Sequence, residues 1–243
     1  MWGTVAAQAE RAGEVVSPRH VCLACVETLS ARGAGLALAG TVGIFEPIWV
    51  SGSPADEIEE LQATVGEGPG CDVLSLRQPV FAPDLGSLRS VSKWPVFAPA
   101  AAQHGTSAMF SFPVGVGAAQ VGVLNVYRAT TGELTAGELN DAYALADLAL
   151  LLVLDHRGGI TVGSGVGGAD NDAVLRNVEV HQAAGMVSVQ LGIPVVEALL
   201  RLRAHAFADN VRLTDLARAV VQRKLRFASN DEHISEPEPE SDQ

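Results

Sequence analysis

The sequence predicts an α+β domain followed by a small all-α unit of three helices. Between residues 17 and 156, helical and strand-like segments follow one another as helix, two strands, helix, strand, helix, two strands, helix. Strands that follow one another through hairpins imply an antiparallel sheet with helices on one or both faces. Residues 157–170 then contain six glycines and read as a linker. Beyond it, three apolar-periodic segments run Val174–Leu191, Val195–Phe207 and Leu213–Leu225. Gly192-Ile193-Pro194 and Ala208-Asp209-Asn210 break them apart.

Each element has a local reason. Pro18–Arg32 places Val21, Cys22, Cys25, Val26 and Leu29 at helical spacing, and Gly33-Ala34-Gly35 is expected to end that helix. Leu36–Thr41 and Pro47–Gly52 read as strands. Pro54–Val65 reads as an amphipathic helix with Asp56, Glu57, Glu59 and Glu60 on its solvated side. Gly66-Glu67-Gly68-Pro69-Gly70-Cys71-Asp72 reads as a loop, Gln78–Asp84 as a strand, and Ser92–His104 as containing a helix around Trp94. Ala108–Val114 and Gln120–Arg128 are strands joined by a glycine-rich turn, and Ala136–His156 is a long helix dense in Ala and Leu.

Composition narrows the function classes. The chain has 48% hydrophobic residues, enough for a packed core, and no uninterrupted apolar run of the ~18 residues that a membrane span needs. The N-terminus lacks the basic-then-apolar order of a signal peptide, so a cytoplasmic location is expected. Three cysteines argue against a disulfide framework. Cys22 and Cys25 form a CxxC on one helix face, with no second pair or histidine cluster to complete a zinc site. Cys71 is the thiol placed to be exposed, and a redox-sensing or catalytic role for it stays open. The six histidines are scattered and no paired-carboxylate arrangement suggests hydrolysis, so no enzyme or metal site is expected, and the sequence names no cofactor. Gly163 to Gly168 spells GxGxxG, but the preceding run Leu145–Leu154 is too long and Ala/Leu-rich for the strand that dinucleotide binding needs, and the acidic residue near the required offset, Glu179, falls inside a helix.

Charge is unevenly placed. The chain carries −12 overall, yet Arg176 to Arg226 holds eight of its 16 Lys and Arg for a local net charge of about +4. A basic helical unit on an acidic chain is the electrostatic outline of a nucleic-acid reader. In its first segment Val178, Gln182, Gly185, Met186 and Val189 share one face. Ala198, Leu199, Leu202 and Ala206, with Phe207 as a further candidate, form the stripe of the second, and Leu213, Leu216, Ala217, Val220 and Val221 that of the third. Residues 229–243 are acidic, contain proline and read as a disordered tail.

The basic segment resembles the ANTAR domain, a three-helix RNA-binding module of transcription antiterminators. The resemblance rests on Gln182-Ala183, Gly185-Met186, Gly192, Glu197-Ala198, Leu202-Arg203, Ala206, Asn210, Leu213, Asp215-Leu216-Ala217 and Val220-Val221, without gaps over about 50 residues. Ala184 departs from the Lys that many members carry. Pro194 stands where a capping Ser, Thr or Asp is common, though proline suits a first helical turn.

The region before the linker resembles a GAF domain, a sensor module related in shape to PAS. Gly33-Ala34-Gly35, Gly66-Glu67-Gly68-Pro69, Pro79-Val80, Asp84-Leu85, Trp94-Pro95, Phe112-Pro113, Gly122-Val123-Leu124 and Ala146-Asp147 carry that likeness. The expected architecture is a GAF-like antiparallel sheet with flanking helices over 1–156, a linker over 157–170, an all-α three-helix ANTAR domain over 171–228 and an acidic tail over 229–243.

The resemblance implies an antitermination regulator of the actinobacterial GAF–ANTAR type. Paired ANTAR units would bind tandem RNA stem-loops in nascent transcripts, which implies a homodimer, with Ala136–His156 and Ala173–Leu191 as interfaces. Arg201, Arg203, Arg212, Arg218, Arg223, Lys224 and Arg226 are the RNA-binding candidates, because arginine pairs with phosphate and stacks on exposed bases. The alternative is a solvated face with local pairs such as Glu197–Arg201, or for Arg203 a structural ion pair, with Asp215 as one candidate partner. A small-molecule ligand of the first domain would lie between the sheet and residues 66–72 and 92–105. Phe81, Trp94, Phe97, Phe110 and Phe112 would line it, unless they are ordinary core aromatics. The acidic tail is expected to occlude the basic face. Rival readings are a regulator that acts by protein contact and dimerisation alone, a DNA-binding helical regulator lacking a base-reading face, and a thiol-based redox sensor or enzyme.

Overall fold

A computed structural model describes residues 1–40, 45–117, 119–158 and 168–227. The chain divides into two compact units, Met1–Asp170 and Asn171–Gln243. The GxGxxG run and most of the expected linker, together with the acidic tail, lie outside the described residues.

The first unit runs α1 (Trp2–Ala12), α2 (Pro18–Thr28), β1 (Gly33–Ala39), β2 (Phe45–Val50), α3 (Ser53–Val65), α4 (Pro69–Leu76), β3 (Val80–Ala82), α5 (Leu88–Lys93), α6 (Phe97–Gln103), β4 (Ala108–Val116), β5 (Ala119–Arg128) and α7 (Ala136–Gly158). The five strands pair antiparallel in the order β2-β1-β5-β4-β3. This is the layer of antiparallel sheet with flanking helices expected from the sequence.

Strand alternation divides the core in two. Leu36, Phe110, Phe112, Leu124 and Val126 point to the face covered by α2 and α7, where Val21, Cys22, Cys25, Leu29, Leu145 and Ala149 meet them. Ala37, Met109, Val123 and Tyr127 point to the other face, beneath Ile58, Val73, Trp94, Phe97 and Ala101. The chain enters α7 through a capping box: Thr135 Oγ1 accepts from the Glu138 N–H at 3.2 Å, and Glu138 Oε2 accepts from the Thr135 N–H at 2.8 Å.

Several local expectations are corrected. Helix α1 was not anticipated, although Val5 and Ala9 bury one side of it. Gly33-Ala34-Gly35 does not cap α2, which stops at Thr28; those residues open β1 and pair with Tyr127, Val126 and Asn125. The turn falls instead at Ser30, whose φ is 48°. Only the first part of Gly66–Asp72 is a turn, because Pro69 begins α4. The Ser92–His104 helix is two helices, α5 and α6, parted at Trp94-Pro95, where proline removes a helical donor.

The second unit holds α8 (Gly168–Leu191), α9 (Val195–Ala208) and α10 (Leu213–Val221). Its core is Val180, Ala183, Ala184, Val187, Ala198, Leu199, Leu202, Ala206, Leu213, Leu216, Ala217 and Val220. The second and third stripes are thus the core faces read from the sequence, except that Phe207 is 52% exposed and Val221 half-buried; the first stripe is not a core face. Val178 and Val189 are exposed, and the neighbouring face of α8 is buried instead. That helix is apolar on both faces, so periodicity alone does not choose between them.

All three helices end in the same way. Gly192, Asn210 and Arg223 have φ of 65°, 53° and 60°. The N–H of the following residue reaches back in each case: Ile193 to Ser188 O at 3.1 Å, Val211 to Ala206 O at 2.9 Å, and Lys224 to Ala219 O at 2.9 Å. These are Schellman endings, which satisfy carbonyls that the last turn leaves open.

Candidate functional site

A polar group of side chains sits inside the first unit, on the sheet face covered by α3. Glu59 on α3 is completely buried. Its Oε1 accepts a hydrogen bond from Asn125 Nδ2 at 2.9 Å and a second from the Tyr127 hydroxyl. Ser111 on β4 donates to Asn125 Oδ1 at 2.6 Å. The other carboxyl oxygen, Oε2, is buried without a hydrogen-bond partner.

This corrects the sequence reading of Glu59 as a solvated residue. Ala55, Ile58, Glu59, Gln62 and Ala63 are all buried. They follow the i, i+3, i+4, i+7, i+8 pattern of a helix face turned to the core. Gly35 leaves room for the carboxyl, since a Cβ there would stand 2.0 Å from Glu59 Oε1.

Burial pushes the Glu59 carboxyl up to about 7; the hydrogen bonds from Tyr127 and Asn125 pull it down, and the nearby Asp56 charge pushes it up further. Burial also lifts the Tyr127 hydroxyl well above its ordinary range, assisted by Glu59. Tyr127 therefore remains a donor at every physiological pH.

The Gly66-Glu67-Gly68-Pro69 motif ties helices around this layer. Gln62 Oε1 accepts from the Gly70 N–H at 2.8 Å in the first turn of α4. Glu67 Oε2 accepts from the N–H groups of Val96 and Phe97, at 3.1 and 3.3 Å, where α6 starts. Gly68, with φ of 130°, presses against Gln62.

The five aromatic residues expected to line one pocket are not brought together. Trp94 and Phe97 are buried on the α3 side of the sheet. Phe110 and Phe112 are buried on the α7 side. Phe81, 38% exposed on β3, packs its ring against both, with centroids at 5.9 and 5.2 Å. The alternation of β4 and its register with β3, which sets Phe81 opposite Phe110, turn those three rings to one face.

Cys22 and Cys25 are buried on α2. Burial pushes the Cys25 thiol up to about 12 and the Cys22 thiol well above its ordinary range, so both stay protonated and poorly nucleophilic. Cys71 is half-buried in the first turn of α4, not in a loop, and its thiol lies 3.6 Å from the Gln62 carbonyl.

The seven cationic candidates of the second unit fall into two groups. Arg201, Arg203 and Arg218 belong to helices. Arg201 pairs with Glu197 at 3.4 Å, and Arg203 is half-buried. Arg218 bridges α10 to Glu179 of α8 at 3.2 Å and also meets Asp215 at 3.5 Å. Arg212, Arg223, Lys224 and Arg226 are exposed and lie before or after α10. The turn that holds the last three is fixed at its far end. The Phe227 N–H donates to Gln190 Oε1 at 3.0 Å, and its ring packs edge-on to His205 with centroids 5.5 Å apart. The third segment therefore stops as a helix at Val221, and its last cations stand in an ordered turn.

Among the described residues, no single helix is long and apolar enough to cross a membrane. No family model matches the sequence, and no curated protein does. Solved structures similar to the chain include the GAF domain of a phosphoenolpyruvate-protein phosphotransferase from Coxiella burnetii. It is 14% identical, covers 65% of this chain and 94% of its own, and has a TM-score of 0.48. The GAF-B domain of DevS from Mycobacterium smegmatis is 17% identical over 58% of this chain and 92% of its own, with a TM-score of 0.42. A type II free methionine-R-sulfoxide reductase from Thermoplasma acidophilum is 14% identical over 56% and 89%, with a TM-score of 0.43.

Proposed function

We propose that the chain is an RNA-binding transcription antitermination regulator. Its GAF-like first unit senses a small molecule or a partner and controls the binding of tandem RNA stem-loops by an ANTAR-like second unit. Two stem-loops call for two readers, so the working form is a homodimer. The signal shifts a population between RNA-competent and occluded states and involves no chemical step.

The observation that most supports this reading is the exposed Arg223-Lys224-Leu225-Arg226 turn, held by Gln190 and His205 through Phe227. A backbone fixed beside these cations sets them at a short spacing that suits phosphates and splayed loop bases, and the backbone loses little further freedom on binding. Arg218 suits it less, because Glu179 and Asp215 already engage it.

A second reading, docking to another protein, is favoured by one feature. Val196, Leu200, Phe207 and Val211 are exposed on or just beyond α9, Leu200 and Phe207 by 56% and 52%. Competition separates the two. Full-length protein should retain a tandem-hairpin RNA against matched duplex DNA, and the triple change Arg223→Ala, Lys224→Ala, Arg226→Ala should weaken binding by roughly tenfold or more. Retention of no RNA at low salt would leave the docking reading.

A further inference from the structure

We propose that the first unit is a proton sensor in its own right, with Glu59 as the group whose ionisation sets how firmly α3 is held on the sheet. The placement of the carboxyl carries this. Oε1 receives both donors, Asn125 Nδ2 and the Tyr127 hydroxyl, while Oε2 is buried with no partner. A proton arriving on Oε2 removes the charge and leaves both existing hydrogen bonds in place. Its loss leaves a full charge under α3, inside the fold, with one oxygen bare of donors.

Among the described residues, no cation is found acting on the carboxyl. On α3 itself the charge that acts on Glu59 is that of Asp56, which repels a second negative charge. From β5 come Asn125 and Tyr127, from β4 Ser111, and from β1 only the bare backbone of Gly35. Through the sheet, α2 contributes Cys22, a thiol that stays neutral. The α6 helix adds Phe97, Ala98 and Ala101 to this layer, while its end residue His104 pairs with Glu57. Asp72 of α4 pairs with Lys93 of α5 at 2.6 Å. Tyr127 and Cys22 are both held above their ordinary ranges, so Glu59 is the member of the group that titrates near neutrality.

The sign follows from linkage. The folded carboxyl, lifted to about 7, binds its proton more tightly than the unfolded one near 4.5. The native state therefore holds the extra proton between these values. The contribution of Glu59 to stability is complete below pH 4.5, falls as pH rises through 7, and is level above. One proton released per molecule corresponds to a folding equilibrium falling by up to about tenfold per pH unit in that window. The link from this switch to RNA rests on the reading of the chain as an RNA regulator; the titration does not.

Two measurements on the full chain test the proposal. The first is the carboxyl carbon titration of wild-type protein, with the Glu59 signal assigned by its loss in Glu59→Gln. A midpoint within a unit of 7 is expected; a midpoint below 5.5 overturns the proposal. The second is hydrogen exchange of the α3 amides after correction for intrinsic rates. Protection should fall by roughly tenfold between pH 6 and 8 in the wild type and stay level in Glu59→Gln. An equal fall in both proteins overturns it. If Glu59→Gln does not fold, Tyr127→Phe serves: losing a donor to the charged form must move the midpoint upward, and an unmoved midpoint overturns the proposal. RNA affinity is recorded over the same pH range. Absence of RNA binding at every pH would sink the RNA reading and leave the titration result standing.

Discussion

Gly35 and Glu59 share one space: the α3 carboxyl lies where a side chain at position 35 of β1 would begin, 2.0 Å from an added Cβ. Gly35 is paired across the sheet with Asn125, so the bare backbone lets Glu59 reach the amide that holds it. Gly35→Ala should destabilise the first unit by about 1–3 kcal/mol, the ordinary cost of overpacking a core. In the double change Gly35→Ala, Glu59→Ala, part of this should be recovered. Urea unfolding followed by the signals of Trp49 and Trp94 measures both, and strictly additive losses would count against the shared space.

Tyr127→Phe should depend on pH. Below pH 5, with Glu59 protonated, the lost hydroxyl removes a hydrogen bond to a neutral group, worth about 1 kcal/mol. Above pH 8 it removes one to a buried charge, worth about 1.5–3 kcal/mol. Unfolding curves at the two pH values give the comparison. Equal losses would mean that Glu59 does not change its ionisation between them.

Arg223 carries a side chain in the left-handed region, at φ of 60°, where Gly192 and Asn210 end the other two helices. A non-glycine residue held there costs roughly 1 kcal/mol. Arg223→Gly should therefore leave the second unit as stable or up to about 1 kcal/mol more so, while lowering RNA affinity and reducing the salt slope by about 1. Thermal unfolding and a filter-retention titration read the two effects separately.

Arg218 is expected to behave in the opposite manner. Its pair with Glu179 joins two partly exposed side chains across α8 and α10. Such pairs contribute at most about 1 kcal/mol and weaken with salt. Arg218→Met should lower the melting temperature slightly at low salt and change RNA affinity less than Arg223→Gly does.

The acidic tail supplies a fifth outcome. Residues 229–243 carry six carboxylates and follow directly on Arg223, Lys224 and Arg226. Deleting them should tighten RNA binding at low salt, with the difference fading near 0.5 M as screening shortens to about 4 Å. Unchanged affinity at low salt would remove the tail from the regulation.

The parts of this fold legible in the sequence are those set by local rules. The breaks at Gly192 and Asn210 were readable because both residues tolerate positive φ, and the α10 stripe because Asp215 and Arg218 mark its other face. Arg223 gave no such signal, since arginine rarely ends a helix in that conformation. The core face of α8 was misjudged because both of its faces carry small or apolar residues and packing partners decide between them. Glu59 occupies an i+4 position in the stripe begun by Ala55, so its address was visible. Its burial was hidden because a carboxylate is ordinarily solvated, and the donors that hold it lie 66 and 68 residues away. The split of the five aromatic residues needed the register of β3 against β4, which sequence spacing does not contain.

The central claim is that the second unit reads RNA through its exposed cations, and the salt dependence of binding tests it most directly. Affinity of the full chain for a tandem-hairpin RNA should fall linearly in log–log form. A slope of about −2 to −4 corresponds to three to five released counterions. It should become shallower when Arg223, Lys224 and Arg226 are replaced by alanine. A flat response, or a slope that the triple change leaves untouched, would contradict the account.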